Sequence, residues 1–331
     1  MNSSFLIPHS SFIIACRNEI SNLPTLLESI ENQSFKPSEV IFVDDNSTDE
    51  TYNFLLNYSQ KYNYIKVIKN TGKGKKSALI EASKIAQSEY LIFTDADCTL
   101  NKDYLYLAHQ YLSNHNSDML LGAVDIIDEK GVFNIIEKIE FASLQAITAY
   151  TALIKNPIMC NGANLIVRRT KYLQYIDKIN KNIASGDDMF MLHAFKKNRE
   201  SINYLYDANY IVNTKGTNSL KKFIIQRTRW AAKSINYTDL PTIFTAILVV
   251  LINLFIISSP FLIPHFSLLI ISIIFIIQNI IMLPYLFKYK QYRVLKYYPI
   301  LFPIMSLLYP LYIITILISI PFYNKTNLHW K

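Results

Sequence analysis

SFIIACRNEISNLPTLLESIENQSFKPSEVIFVDDNSTDET, residues 11–51, contains two apolar runs of strand length, 11–16 and 39–44, separated by a helix-like segment, 21–33. In that segment Leu23, Leu26, Leu27 and Ile30 recur at spacings of three and four, the period of a helix face. Strand, helix, strand in that order is a βαβ unit, whose strands run parallel and need a crossover between them. The alternation continues, with strands expected at 64–69, 90–94 and 118–126 and helices at 48–60, 75–87 and 102–114. Right-handed crossovers wind such units into an open, twisted, mainly parallel sheet with flanking helices, the α/β class. From 132 the pattern loosens into a long apolar helix through 155, and a strand is expected at 164–168.

In such a sheet, ligands bind beyond the carboxyl ends of the strands. Three expected strands run out into polar or acidic residues there: Cys16-Arg17-Asn18-Glu19, Asp44-Asp45-Asn46-Ser47 and Asp95-Ala96-Asp97. No GxGxxG or GxxxxGKS loop follows the first strand, so phosphates are not cradled as in dehydrogenases or P-loop enzymes. Asp95 and Asp97 can instead chelate a hard divalent cation that also bridges a diphosphate, although Asp-x-Asp also occurs in ordinary turns. Asp187, preceding another apolar-periodic segment, doubles as a candidate helix N-cap.

The 331 residues carry a formal charge of +8, which raises the question of a nucleic-acid partner. Six of the positive charges, Lys288, Lys290, Arg293, Lys296, Lys325 and Lys331, follow Asp239 with no acid among them, which leaves residues 1–239 near +2. A polynucleotide groove needs its excess in the soluble part, so no nucleic acid is expected. The charge reads as membrane topology. Residues 240–287 contain no Asp, Glu, Lys or Arg, and 297–324 form a second uncharged run. The first run is too long for one span and is broken near Pro260, Pro264 and His265, so it folds as a hairpin. Three spans follow, at about 242–263, 266–287 and 299–321. The four basic residues between spans two and three place that loop in the cytoplasm by the positive-inside rule. The domain before span one is then cytoplasmic and the C-terminus outside. Residues 219–237 read as a basic amphipathic helix lying on membrane lipids. The chain therefore divides into 1–218, a soluble domain, 219–239, an interfacial segment, and 240–331, a membrane domain. Cys16, Cys98 and Cys160 are odd in number and widely spaced, as expected of reduced thiols on a cytosolic side. No secretory signal opens the chain.

Taken together and in order, residues 12–51, TDADC around Asp95 and Asp97, NGANLIVRR from Asn161, GDDMFML around Asp187 and Asp188, and QRTRW ending at Trp230 resemble family 2 glycosyltransferases with a GT-A fold. The resemblance implies an inverting, metal-dependent transfer from a nucleotide-sugar donor, UDP by family habit, to a lipid-linked or membrane-delivered glycan. It implies that Glu19, the backbone around Cys16, Asp44 and Asp45 hold base and ribose. One of Lys73, Lys75 and Lys76 reaches the diphosphate, Lys75 being the choice. Asp97 is the implied ligand of a Mg2+ or Mn2+ ion, with Asp95 on the ribose or a metal-bound water. Asp188 is the implied catalytic base, while Asp187 stands where the family has Glu and its contact is open. Gln226, Arg229 and Trp230 match QxxRW, in which Trp stacks on the acceptor and Arg meets the diphosphate; near a membrane such a pair also serves as an interfacial anchor. An inner-membrane, multi-pass enzyme follows. The alternatives are a processive polysaccharide synthase, a nucleotide-sugar-binding scaffold without activity, and a transporter. The transporter is disfavoured because the spans carry no charged residue, Gln278 and Asn279 being neutral amides.

Overall fold

The computed structural model describes residues 9–179 and 186–323. The chain divides into two compact units, one formed by the chain up to Asp125 with Thr151–Lys215, the other by Ile126–Tyr150 and the chain from Gly216.

The first unit alternates as the periodicity predicts: β1 (Ser10–Cys16), α1 (Leu23–Glu31), β2 (Glu39–Asp44), α2 (Thr51–Ser59), β3 (Ile65–Lys69), α3 (Lys75–Ile85), β4 (Tyr90–Phe93), β5 (Thr99–Leu100), α4 (Tyr104–Asn114), β6 (Met119–Leu121) and β7 (Val124–Ile126). After α5 (Val132–Leu153) come β8 (Leu165–Arg168), α6 (Arg169–Tyr175), α7 (Asp187–Lys197), β9 (Ile202–Tyr204) and β10 (Val212–Thr214). The main sheet has the order β3-β2-β1-β4-β8-β6-β9. Every pairing in it is parallel except the two made by β8, so one strand runs against six. The middle of the sheet is a continuous apolar layer: Phe12, Ile13 and Ile14 of β1 and Val40–Val43 of β2 have no exposed surface. Strands covered on both faces require such runs rather than alternation. Leu23, Leu26, Leu27 and Ile30 are the buried stripe of α1, and α3 packs on β1 and β2.

The single strand expected at 118–126 is two strands in two sheets, since β6 pairs in the main sheet and β7 joins β5 and β10 in a small one. Gly122 is the reason. A Cβ there would stand 2.3 Å from Asn164 Nδ2 and 2.5 Å from Tyr210 Cε1. Asn164, fully buried, donates to the Ala123 carbonyl (2.8 Å) and the Tyr210 carbonyl (2.9 Å), pinning the bend between the strands.

In the second unit α8 (Leu220–Ser234) precedes α9 (Leu240–Leu262), α10 (Pro264–Lys288) and α11 (Tyr292–Ser319). The last three are long and apolar enough to cross a membrane, with mean hydropathies of 2.6, 2.3 and 2.2. Ser219 caps α8 by accepting from the Lys222 NH (3.3 Å), and Asp239 caps α9 by accepting from the Thr242 NH (3.1 Å). The break falls at Ile263, with Pro264 opening α10 where its missing NH costs nothing. The third long helix starts at Tyr292, earlier than the apolar run suggests, because Arg293 finds partners there. Its guanidinium donates to the Glu129 carbonyl and to Asn134 Oδ1 (3.3 Å) and pairs with Asp128 (3.4 Å). Lys325 and Lys331 lie outside the described residues.

Candidate active site

Strand β1 pairs with both β2 and β4, Cys16 opposite Asp44 and Ile13 opposite Phe93, so the carboxyl ends of three parallel strands stand together. The loops leaving β1 and β2 are laced: the Asn18 NH donates to Ser47 Oγ (3.0 Å), the Thr48 NH to Asn18 Oδ1 (2.7 Å) and the Asp45 NH to the Cys16 carbonyl (2.8 Å). Asn18 and Asn46 take positive φ of 55° and 57°, a region Asn tolerates better than most residues. Glu19 is buried; its NH donates to Thr51 Oγ1 (2.8 Å) and its carboxylate accepts from Asn22 Nδ2 (2.5 Å).

The adjacent acids differ in what they hold. Asp45 accepts from Asn70 Nδ2 (2.7 Å) and from the Gly74 NH (3.0 Å), closing the loop that leads into α3. Asp44 accepts from the Ser47 NH (3.2 Å) with Oδ2, while its Oδ1 is buried with no hydrogen-bond partner among the described residues. Arg17 Nε and Thr94 Oγ1 share that condition, so each of the three strand ends carries one orphaned buried polar atom. Such atoms are costly unless something else donates or accepts there. Arg17 was quoted above within a polar strand end but given no role, and Thr94 was not singled out; the signal for both is their position directly after a strand.

Lys75 is the electrostatic centre of the site. Gly74, at φ 86°, lets the chain turn into α3 and makes Lys75 its first residue. Of the three lysines in this loop, Lys73 is exposed, Lys76 is buried with its ammonium 4.9 Å over the Phe190 ring, and Lys75 pairs with Asp95. Burial opposes the charge on Lys75, yet Asp95, Asp187 and Asp188 outweigh it and hold the ammonium above its ordinary range. Asp187 and Asp188 open α7, where the helix dipole favours acids. The cap itself is Gly186 in the left-handed region, φ 87°, and not Asp187. Burial and the Asp188 charge push the Asp187 carboxyl up, against Lys75 and Lys76. Asp188 Oδ2 accepts from the Gly162 NH (3.1 Å), so the NGAN turn fixes its carboxylate, and Oδ1 accepts from the Met189 NH (2.8 Å). Thus Asp95, Asp187, Asp188 and Lys75 come together. Asp97 is half-buried beside Cys98, whose thiol is pushed well up by burial and by Asp97 and Asp95; no disulfide joins any of the three cysteines.

Gln226, Arg229 and Trp230 lie on α8 in the second unit. Between them the sequence holds a residue passed over above, Arg227. It is 4% exposed, and its Nε stands 3.0 and 3.1 Å from the two carboxylate oxygens of Glu140 on α5. Its guanidinium lies 4.2 Å from the Trp230 ring centre and donates to Gln226 Oε1. Glu140, the last charged residue before the uncharged second half of α5, was the available signal.

A sequence model of glycosyl transferase family 2 matches residues 11–176, half of the chain, and the protein belongs to that family. Poly(ribitol-phosphate) beta-glucosyltransferase of Bacillus spizizenii is 26% identical over 211 residues, 62% of this chain and 32% of that protein. Poly-beta-1,6-N-acetyl-D-glucosamine synthase of Staphylococcus epidermidis is 27% identical over 135 residues, 40% of this chain and 33% of that protein. The chain thus spans about a third of the length of these relatives. Among solved structures, S. aureus TarS 1-349 in complex with UDP superposes with a TM-score of 0.52 at 25% identity, over 78% of this chain and 72% of that one. Mannosyltransferase PcManGT from Pyrobaculum calidifontis, in complex with GDP-Man and Mn2+, gives 0.57 at 18% identity over 95% and 87%. The fold is therefore the mixed α/β GT-A fold.

The Mn2+ of that mannosyltransferase raises the question of fit. Among the described residues no three His, Cys, Asp or Glu side chains are placed to cage a metal ion. Asp95 and Asp97, partly exposed carboxylates one residue apart, suit an ion that takes one or two carboxylates and completes its shell with phosphate and water. The donor set fits Mg2+ or Mn2+.

Proposed function

We propose that this protein moves a sugar from a nucleotide-sugar donor, with UDP as the nucleotide, to a hydroxyl of a lipid-linked or membrane-delivered glycan, inverting the anomeric centre. The observation that carries this reading is the cluster of one lysine and three acids, Lys75 with Asp95, Asp187 and Asp188. The UDP in TarS and the glycosyltransferase names of the relatives support it.

Asp44 Oδ1 accepts from the nucleobase, and Asp45, Glu19 and the Cys16 backbone shape the pocket for base and ribose. Lys75, at the positive end of α3, takes the diphosphate, which an anion at a helix N-terminus favours. Asp188 removes the acceptor proton as the oxygen attacks the anomeric carbon; the carbon–oxygen bond to phosphate breaks and its electron pair leaves with the diphosphate. Asp97, with Asp95, would hold a divalent cation that neutralises charge on the diphosphate. The QxxRW motif assigns Trp230 to the acceptor and Arg229 to the leaving diphosphate, with Gln226 and Asp187 on the acceptor side. A single base without a second carboxylate nucleophile gives inversion. The protein sits in the inner cell membrane with three spans and its catalytic unit cytoplasmic; the basic residues Lys288, Lys290, Arg293 and Lys296 around the turn between α10 and α11 support this through the positive-inside rule. The synthase relatives favour processive polymer building as a second reading.

The test is turnover of a panel of nucleotide sugars by detergent-solubilised protein, with and without divalent cation, beside Asp188→Asn. The expected result is metal-dependent use of one donor, reduced about 100-fold or more in the variant. A product retaining the donor's anomeric configuration refutes the single displacement.

A further inference from the structure

Arg227 touches two of the three motif residues on α8. Its guanidinium donates to Gln226 Oε1 and lies 4.2 Å from the Trp230 ring centre and 4.6 Å from that of Phe223. Arginine only donates, so Oε1 is the acceptor and the Gln226 amide presents its NH2 donors elsewhere. The guanidinium is fixed in turn by Glu140 on α5, through Nε at 3.0 and 3.1 Å and Nη2 at 2.5 Å. Glu140 is anchored also by the Tyr312 hydroxyl of α11, which donates to Oε1 (3.1 Å). Arg227 and Glu140 are both nearly sealed from solvent, at 4% and 6% exposure. A buried ion pair adds little stability over apolar residues of the same volume. What it adds is geometry: a planar fork bound to one carboxylate has a fixed position, and an indole whose face lies over it is held against that fixed charge.

We propose that Arg227 is the positioning residue of the acceptor motif, setting Trp230 and Gln226 in place, and that Tyr312 of the third long apolar helix is its far anchor. The inference rests on the acceptor role proposed for Trp230, and adds that a membrane helix controls it. Lysine at 227 keeps the charge and loses the plane. Phenylalanine at 312 keeps the ring and removes one hydrogen bond.

The experiment uses the full chain in detergent with Trp330→Phe, leaving Trp230 the one tryptophan of the two in the sequence. Acrylamide quenching of Trp230 fluorescence is expected to rise about two-fold in Arg227→Lys and less, in the same direction, in Tyr312→Phe. The Tm of Tyr312→Phe and the UDP affinity of both variants stay as in the parent. With an acceptor that serves the parent, acceptor KM rises while donor KM does not. Unchanged quenching in both variants overturns the proposal, as does a fall in kcat with both KM values kept. If the parent fails to bind UDP, the functional reading falls by itself, whatever the quenching shows.

Discussion

Lys75 occupies a position that helix physics disfavours. At the first residue of α3 it faces the positive end of the backbone dipole, and it is half-buried as well. Asp95, Asp187 and Asp188 overcome both terms, and their mutual repulsion needs Lys75 in turn. Conflicts of this kind collect at functional sites. Lys75→Met keeps the length of the chain and removes the charge. UDP-sugar affinity is expected to fall about ten-fold or more, the worth of a charge-assisted contact, with circular dichroism unchanged. Isothermal titration against the parent reads it, and equal affinities would place the diphosphate elsewhere.

At the scale of elements, the site depends on where strands stop. Between β6 and β7 the chain leaves one sheet for another at Gly122, against Asn164 and Tyr210, which cannot retreat: Asn164 is held by two carbonyls, and Tyr210 is stacked on Tyr104 at 4.6 Å. Gly122→Ala is therefore expected to cost about 2–3 kcal/mol through overpacking, read as a lowered urea midpoint. A variant as stable as the parent would mean that the bend tolerates a side chain. The αR helix α7 works in the other direction, since its dipole and its two first-turn acids agree.

At the scale of the whole molecule, a buried histidine adds to acid sensitivity. His109 on α4 is 3% exposed, its Nε2 lies 2.9 Å from Ser10 Oγ, and its ring meets Phe35 edge-on. Burial, with a smaller contribution from His9, lowers its pKa from 6.5 to about 4. The unfolded chain then binds a proton that the folded chain refuses. Stability is complete above pH 6.5 and is lost as pH falls toward 4, by about 3 kcal/mol. Chemical denaturation between pH 7 and 4 is expected to show this loss, and His109→Phe to flatten it; a loss of equal size in that variant would assign it to other groups.

The βαβ alternation, the three long apolar helices and the acids at the strand ends were legible in the sequence because each depends on local period or on chain position: burial on both faces demands continuous apolar runs, and a bilayer demands length without charge. The antiparallel β8, the split at Gly122, the pairing of Lys75 with Asp95 and the Glu140–Arg227–Trp230 contacts were decided by tertiary structure. Each turns on a partner distant along the chain, Asn164 for Gly122, Asp95 and Asp188 for Lys75, Glu140 and Tyr312 for Arg227. No local pattern carries such a pairing, since the energy that selects it exists only once burial has removed the competing water.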